Sequence, residues 1–222
     1  MFNRTDSLAS IEDLYYEFNV VWDSTHIYYF VELWDDMLVQ DGELNYQDDG
    51  FELWFDPDNS KASSYDGVND FGVAFKYVPG APIDSVSIWP GTDLYSVDMV
   101  NYVAVETEKG LNLEFSMPLD SLGINPMNGH KFGFELDYND DDMGTMEDEG
   151  AGGRDTKTKF FTRIDDTWQN PSLLDVGMFV GGPGEPKEEE EEVLLAIDKT
   201  AVAQVIDGER DFVYDNALNY TI

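Results

Sequence analysis

Apolar side chains recur every second residue in stretches of strand length along this chain, and almost nowhere at the spacing of a helix. In Tyr15-Tyr16-Glu17-Phe18-Asn19-Val20-Val21-Trp22 and Ile27-Tyr28-Tyr29-Phe30-Val31-Glu32-Leu33-Trp34, aromatic and β-branched residues fill two such runs. Only Asp23-Ser24-Thr25-His26 separates them, which predicts a hairpin. Phe51-Glu52-Leu53-Trp54-Phe55 alternates, with Phe51, Leu53 and Phe55 on one face and Glu52 and Trp54 on the other, before Pro57-Asp58-Asn59 turns the chain. Further strands are expected over 71–77, 85–89, 102–107, 111–117, 131–138, 159–163 and 176–180, with a tight hairpin at Glu108-Lys109-Gly110. Residues 118–122 admit one helical turn. Parallel strands need crossovers, usually helical, and none is evident here. The pattern therefore predicts an all-β, jelly-roll-like antiparallel β-sandwich.

The charge narrows the partners. Asp and Glu number 47 against 12 Lys and Arg, a formal charge of -35. Phosphate backbones require clustered cations, so nucleic acid is excluded as a partner, and an anionic membrane surface is disfavoured for the same reason. With 42% hydrophobic and 14% aromatic residues the chain is nonetheless built to bury a core, unlike a disordered acidic tail. No apolar run is long enough to span a bilayer, and Met1 to Tyr16 shows neither the basic nor the apolar region of a secretory leader. The absence of cysteine excludes disulfides, thiolate metal sites and a cysteine nucleophile. The two histidines, His26 and His130, are far apart in the chain and read as surface or strand-end residues. So large a negative charge repels itself, and counterions relieve it. It fits a carboxylate-rich surface hydrated in saline surroundings, local clusters that bind divalent cations, or both.

Three segments follow from composition. Residues 1–181 carry the main sandwich. Residues 182–192, rich in glycine and proline and ending in five successive glutamates, form a linker, because such a stretch cannot propagate a strand and repels into extended chain. Residues 193–222 hold one strand-like run, 193–197, and the turn Ile206-Asp207-Gly208-Glu209. Thirty residues bury no core alone, so this tail must pack on the sandwich or begin a second repeat.

The chain resembles the family 9 carbohydrate-binding modules. The resemblance lies in Val21-Trp22-Asp23 with Ile27-Tyr28, in Asp49-Gly50-Phe51-Glu52-Leu53-Trp54-Phe55-Asp56, and in Asp70-Phe71. It continues through Leu113-Glu114-Phe115-Ser116-Met117-Pro118 with Leu122-Gly123-Ile124, then Gly133-Phe134-Glu135, Asn139-Asp140 and Trp168-Gln169-Asn170-Pro171-Ser172. It implies a non-catalytic β-sandwich that binds oligo- or polysaccharides, often at chain ends, commonly attached to a secreted glycan-degrading enzyme and often carrying structural calcium. An extracellular or cell-surface monomer that takes part in polysaccharide degradation is the corresponding expectation. Such modules open with a strand and a motif like Val205-Ile206-Asp207-Gly208-Glu209-Arg210-Asp211, followed by an aromatic, here Tyr214. In this chain that opening comes last. Joining the ends restores one complete domain, which reads as a circular permutation; a cut across tandem repeats is the alternative.

Sugar rings offer apolar C–H faces and a rim of hydroxyls, so a site needs flat aromatics and fixed polar groups. The resemblance assigns the two clamping aromatics to Trp168 and Tyr46, the latter where tryptophan is usual. It assigns Glu52 to a hydroxyl-binding glutamate and Asp165 to an amide-bearing position. The expected arginine falls on Ala74, and Lys76, two residues on, is the candidate substitute. Trp54, sharing a face with Glu52, and Trp89, before Pro90-Gly91, are further stacking candidates, whereas Trp22 reads as structural. For calcium, Asp56 and Asp58 with Asp66 and Asp70 supply hard oxygens around a turn. Asp140 and Asp142, followed by Glu147-Asp148-Glu149, form a second candidate, and neither stretch has the spacing of an EF-hand. Three competing functions remain: a glycosidase using a carboxylate pair, a haem-binding sandwich with Met117 or another methionine and a lysine as axial ligands, and an adhesion module with a decayed site.

Overall fold

The computed structural model describes residues 12–42, 44–76, 85–89, 97–142, 154–162, 164–182, 195–200, 204–211, 213–216 and 220–221. Among these residues the chain forms β1 (Leu14–Trp22), β2 (His26–Asp35), β3 (Gly50–Asp56), β4 (Phe71–Lys76), β5 (Ser85–Trp89) and β6 (Asn101–Glu106). It continues with β7 (Gly110–Pro118), β8 (Lys131–Asp140), β9 (Thr156–Lys159), β10 (Asp175–Val180), β11 (Leu195–Lys199) and β12 (Tyr220–Thr221). Helical structure among them is limited to single 3-10 turns, as at Pro171–Leu173.

The strands lie in the order β5-β4-β3-β8-β10-β11-β1-β2-β7-β6, with β9 on β8 and β12 on β1. Two antiparallel layers, β5-β4-β3-β8-β10 and β1-β2-β7-β6, face each other, which is the β-sandwich expected from the alternation. Their inner faces supply one core. Phe134 of β8 meets Phe18 of β1 and Tyr29 of β2 at centroid distances of 6.1 and 5.9 Å, Phe75 of β4 meets Phe115 of β7 at 4.6 Å, and Phe51 of β3 meets Tyr16 edge-on at 5.4 Å. Offset-stacked, tilted and edge-on pairs of this kind add about 0.5–1.5 kcal/mol each beyond the area they bury.

One departure from the antiparallel expectation is informative. β11 runs parallel to both neighbours, pairing Gly177 with Leu195 through Val180 with Asp198 on one side, and Val21 with Asp198 and Trp22 with Lys199 on the other. Most of the connection from β10 to β11 lies outside the described residues, and β1 is distant in sequence. The seam is closed by Trp22, fully buried, whose indole N–H donates to the carbonyls of both Val180 (3.1 Å) and Ile197 (3.0 Å). The ring stacks on Phe179 at 4.6 Å, and at Gly182 any Cβ would lie 2.3 Å from it, so the chain leaves β10 through a glycine. The linker beyond Gly182 and its glutamates lie outside the described residues.

The tail also covers the outer face of the second layer. Glu114 of β7 accepts from the N–H groups of Asp207 (3.0 Å) and Gly208 (3.1 Å) and from the Tyr214 hydroxyl (3.2 Å). Burial raises its pKa against the pull of those donors. Tyr214 stacks on Phe30 at 5.3 Å, and Arg210 donates to Glu32 at 2.7 Å.

A strand expected at 159–163 forms instead at Thr156–Lys159. It ends there because the N–H groups of Phe160, Phe161 and Thr162 turn to the carboxylate of Glu135, at 2.9, 2.9 and 2.7 Å. Both histidines sit at strand ends, as expected: His26 opens β2, and His130 precedes β8 with its Nε2 2.8 Å from the Pro57 carbonyl. Met117 is fully buried in the core, which removes it as an accessible haem ligand.

Deleting residues 193–222 removes β11, β12 and the cover over Glu114. A truncated chain should lose cooperative thermal unfolding in circular dichroism; an unchanged melting temperature would show that the tail is dispensable.

Candidate functional site

Alternation on β3 and β8 sends Phe51, Leu53, Phe55, Phe134, Leu136 and Tyr138 into the core, so Glu52, Trp54, Glu135 and Asp137 share the outer face of the first layer. Register then makes a charged row. Glu52 is opposite Asp137, and Asp137 opposite Lys159 of β9; Lys157, one pleat along, is opposite Asn139. On the other flank Ala74 of β4 faces Glu52, and Gly72 faces Trp54.

The side chains close into a network. The Lys157 ammonium lies 2.6 Å from Glu52, 3.1 Å from Asp137 and 3.9 Å from Asp165. Lys159 donates to both oxygens of Asp137 (2.8 and 2.7 Å) and to the Thr167 hydroxyl at 2.7 Å. Burial alone would raise the Asp137 pKa, yet the two lysines hold it below the usual range. Burial alone would lower that of Lys157, yet Glu52 and Asp137 raise it. Glu135, one pair along, is pushed up to about 8 by burial and by the charge of Asp137.

Two aromatics stand beside this network. Trp168 is 42% exposed and Tyr46 43% exposed, unusual for rings of this size in a protein with so full a core. The Trp168 loop is pinned from below, because the carbonyl of neighbouring Thr167 accepts from Tyr65 at 2.7 Å and its hydroxyl from Lys159. Tyr46 is held by Arg154, which donates to its carbonyl at 2.8 Å and lies 5.7 Å from its ring centroid. Both loops are thus anchored on residues of β9 or its approach.

The other expected ligand residues fall out differently. Trp54 is only 6% exposed, its ring lies over Gly72, and its N–H donates to Asp137 at 3.0 Å, so it supports the network from beneath and presents no stacking face. The backbones of Lys76 and Trp89 pair with Gly50 and Gly72 respectively. The sequence does not single out Lys157, Lys159, Asp137 or Arg154 as neighbours of Glu52; Lys157-Thr158-Lys159, two lysines at strand spacing in a lysine-poor chain, is the local signal.

Among the described residues four carboxylate triads could each hold a cation: Asp56–Asp58–Asp70, Asp35–Asp49–Asp140, Asp13–Asp36–Asp142 and Asp41–Asp48–Asp141, each with one ligand oxygen per residue within 4.8 Å of the others. In the first, Asp56 accepts from the N–H groups of Ser60 (3.0 Å) and Lys61 (2.9 Å), while both oxygens of Asp70 are buried with no hydrogen-bond partner. Asn59 Oδ1, in the same turn, is buried and unpartnered too. The Asp70 carboxyl is pushed up to about 7 by burial and by Asp56 and Asp66. Asp66 itself shapes the loop by accepting from Val68 (2.7 Å) and Asn69 (3.2 Å), and belongs to none of the triads.

Asp140 and Asp142, expected in one site, fall in two. Asp140 joins Asp35 and Asp49 at the ends of β2 and β3, while Asp142 joins Asp13 and Asp36. The doublets Asp35-Asp36 and Asp48-Asp49 are the sequence signal of these clusters. Glu147 to Glu149 lie outside the described residues. A groove of about 890 Å³ lies on the other layer, where Trp34 stacks on Tyr15 at 4.5 Å beside Glu12, Asp36, Glu106 and Glu108, and shares no residue with the Glu52 network.

Residues 2–177 match the family described as carbohydrate family 9 binding domain-like, and the chain belongs to that family. A family 9 carbohydrate-binding module from Caldicellulosiruptor kristjanssonii in complex with cellotriose matches with a TM-score of 0.65 at 20% identity, over 85% of this chain and 86% of that one. One from the same organism in complex with glucose matches at 0.61 and 21% identity, over 81% and 87%. At such identities the likeness speaks for the fold. No curated protein matches the chain.

The crowded carboxylates predict a pH dependence. Asp140 is pushed up to about 8 and Asp142 to about 6, both by burial first and by neighbouring aspartates second; Asp35 is pushed up to about 6, chiefly by burial. These exceed the unfolded value of about 4, so between about pH 4 and about pH 8 the folded state holds more protons. Stability is therefore lost as pH rises through that window. In chelator, the melting temperature should fall from about pH 5 to about pH 8; a rise over that range would contradict the assignment.

Proposed function

We propose that this carbohydrate-binding domain takes its saccharide on the outer face of the first layer, with Trp168 and Tyr46 stacking on the ring and Glu52 and Asp165 orienting hydroxyls. One observation carries the reading: two half-exposed aromatics are tied by hydrogen bonds of Lys159 and Arg154 to the neighbourhood of a buried, hydrogen-bonded set of carboxylates and ammoniums. This supplies an apolar platform and fixed polar groups in one place. Membership of the family makes the chain a binding module and not a catalyst. Because the related modules are in complex with cellotriose and glucose, β-linked glucose oligomers are the first ligands to test. The reading extends to an extracellular or cell-surface monomer, in saline surroundings, serving a glycan-degrading enzyme. It also includes a circular permutation in which the tail provides the opening strand of the family; the parallel seating of β11 between β10 and β1 supports this.

Trp168→Ala should abolish binding of cellotriose and glucose in calorimetry while changing stability by no more than about 1 kcal/mol, the range of exposed substitutions. Equal affinity in the variant would refute the site.

Calcium belongs to the same proposal. Asp56, Asp58 and Asp70 offer hard oxygens in one cluster, and the orphaned buried oxygens of Asp70 are the groups a divalent ion would satisfy. Millimolar calcium should raise the melting temperature of chelator-treated protein, and Asp70→Asn should shrink that increment. A melting curve indifferent to calcium would reject the site.

A further inference from the structure

We propose that the groove beside Tyr15 and Trp34, on the outer face of the second layer, is a separate saccharide site that takes a cationic amino sugar, an oligomer of unacetylated glucosamine. It shares no residue with the Glu52 network and does not depend on it.

Alternation and register build the groove. Leu14, Tyr16, Leu33 and Leu111 enter the core, so Tyr15, Trp34 and Gly110 fall on the outer face. They form one row, Tyr15 opposite Trp34 and Trp34 opposite Gly110. The two half-buried rings stack at 4.5 Å and 23°. On the other flank of Trp34, Gly110 brings no side chain. None fits there: its φ is +151°, and a Cβ would lie 2.4 Å from the Leu33 carbonyl oxygen. The hairpin that carries Gly110 is tied to β2, because the Asp35 N–H donates to the Lys109 carbonyl at 2.8 Å.

The tail covers this face only up to the neighbouring row. Arg210 donates to Glu32, and Asn112, opposite Glu32, reaches the Gly208 carbonyl at 3.4 Å. One row farther on, at Trp34 and Gly110, no described tail residue lines the groove. Its volume of about 890 Å³ lies within the range of small-molecule sites, about 300–1,000 Å³.

The lining selects the ligand. Among the described residues, Glu12, Asp35, Asp36, Glu106 and Glu108 stand against Lys109, five carboxylates against one ammonium. Asp35 is turned to the Tyr138 hydroxyl, and the other four are exposed. Ionised carboxylates only accept hydrogen bonds, so ammonium groups match them, and aromatic faces also attract cations. The stacked rings suit the flat C–H face of a pyranose. An amino sugar combines both features. A uronate or a sulfated sugar is repelled, a neutral glucan leaves the carboxylates uncompensated, and a lysine peptide lacks the rigid face. A second copy of this chain, at a formal charge of -35, is repelled as well.

The test is calorimetric titration, at about pH 6 and low salt, with the β-1,4-linked glucosamine trimer, its N-acetylated form and trilysine. The proteins are the wild type, Trp168→Ala, Trp34→Ala and the double variant Glu106→Gln/Glu108→Gln, with circular dichroism melts to monitor folding. The glucosamine trimer should bind the wild type and Trp168→Ala equally. Trp34→Ala and the double variant should each weaken it at least about tenfold, the worth of one charged hydrogen bond. If Trp34→Ala does not fold, the double variant decides, since both its residues are exposed. The N-acetylated trimer and trilysine should bind at least about tenfold more weakly than the glucosamine trimer. Equal affinity for either would overturn the amino-sugar assignment. Loss of the glucosamine trimer in Trp168→Ala would move it to the other face. An equal weakening in Asp120→Asn/Asp166→Asn, which removes the same charge outside the groove, would reduce the effect to the overall charge of the protein and overturn the site.

Discussion

One indole N–H holds the seam of this sandwich. Trp22 reaches the carbonyls of Val180 on β10 and Ile197 on β11 together, at the place where the two layers join edge to edge. β11 is the strand that makes the join, and it comes from the far end of the chain. Without it β10 would be an open edge and β1 would keep only the short pairing of Glu17 and Phe18 with β12, which leaves rows of unpaired backbone groups. The same segment goes on to supply the donors that satisfy Glu114, so backbone pairing and buried-carboxylate chemistry depend on one tail.

The candidate binding face is a second case of local arrangement overriding composition. A chain of formal charge -35 places two of its 12 cationic side chains, Lys157 and Lys159, against a single fully buried aspartate. Breaking such a buried pair typically costs about 3–5 kcal/mol, because a charge is left without its partner in a medium that solvates it poorly. The network therefore holds its geometry, and the Trp168 loop inherits that rigidity through Thr167.

Elsewhere the carboxylates are crowded without cations. Asp35, Asp49 and Asp140 converge from the ends of β2, β3 and β8, and burial first and the repulsion of neighbouring aspartates second raise each pKa. The tension is of the kind a divalent ion relieves. The negative charge is thus of two sorts: dispersed carboxylates such as Asp120 and Glu108, which are solvated, and converging ones, which are not.

Alternation alone determined the strands, their inward faces and the all-β class, because the side-chain period of a strand is a local property. The Asp56–Asp58 turn was legible in its residues for the same reason, whereas Tyr46 and Trp168 were singled out only by the resemblance to the family. Tertiary structure decided the rest. The end of β9 depends on Glu135, twenty-five or more positions from the N–H groups it accepts. The separation of Asp140 from Asp142 depends on which strand end each meets, and the burial of Trp54 on Gly72 and Asp137. Lys157 stood in the sequence as one of eight lysines. Only the pairing of β3 with β8 and of β8 with β9 sets it between Glu52, Asp137 and Asp165, since contacts between strands are fixed by register and not by proximity along the chain.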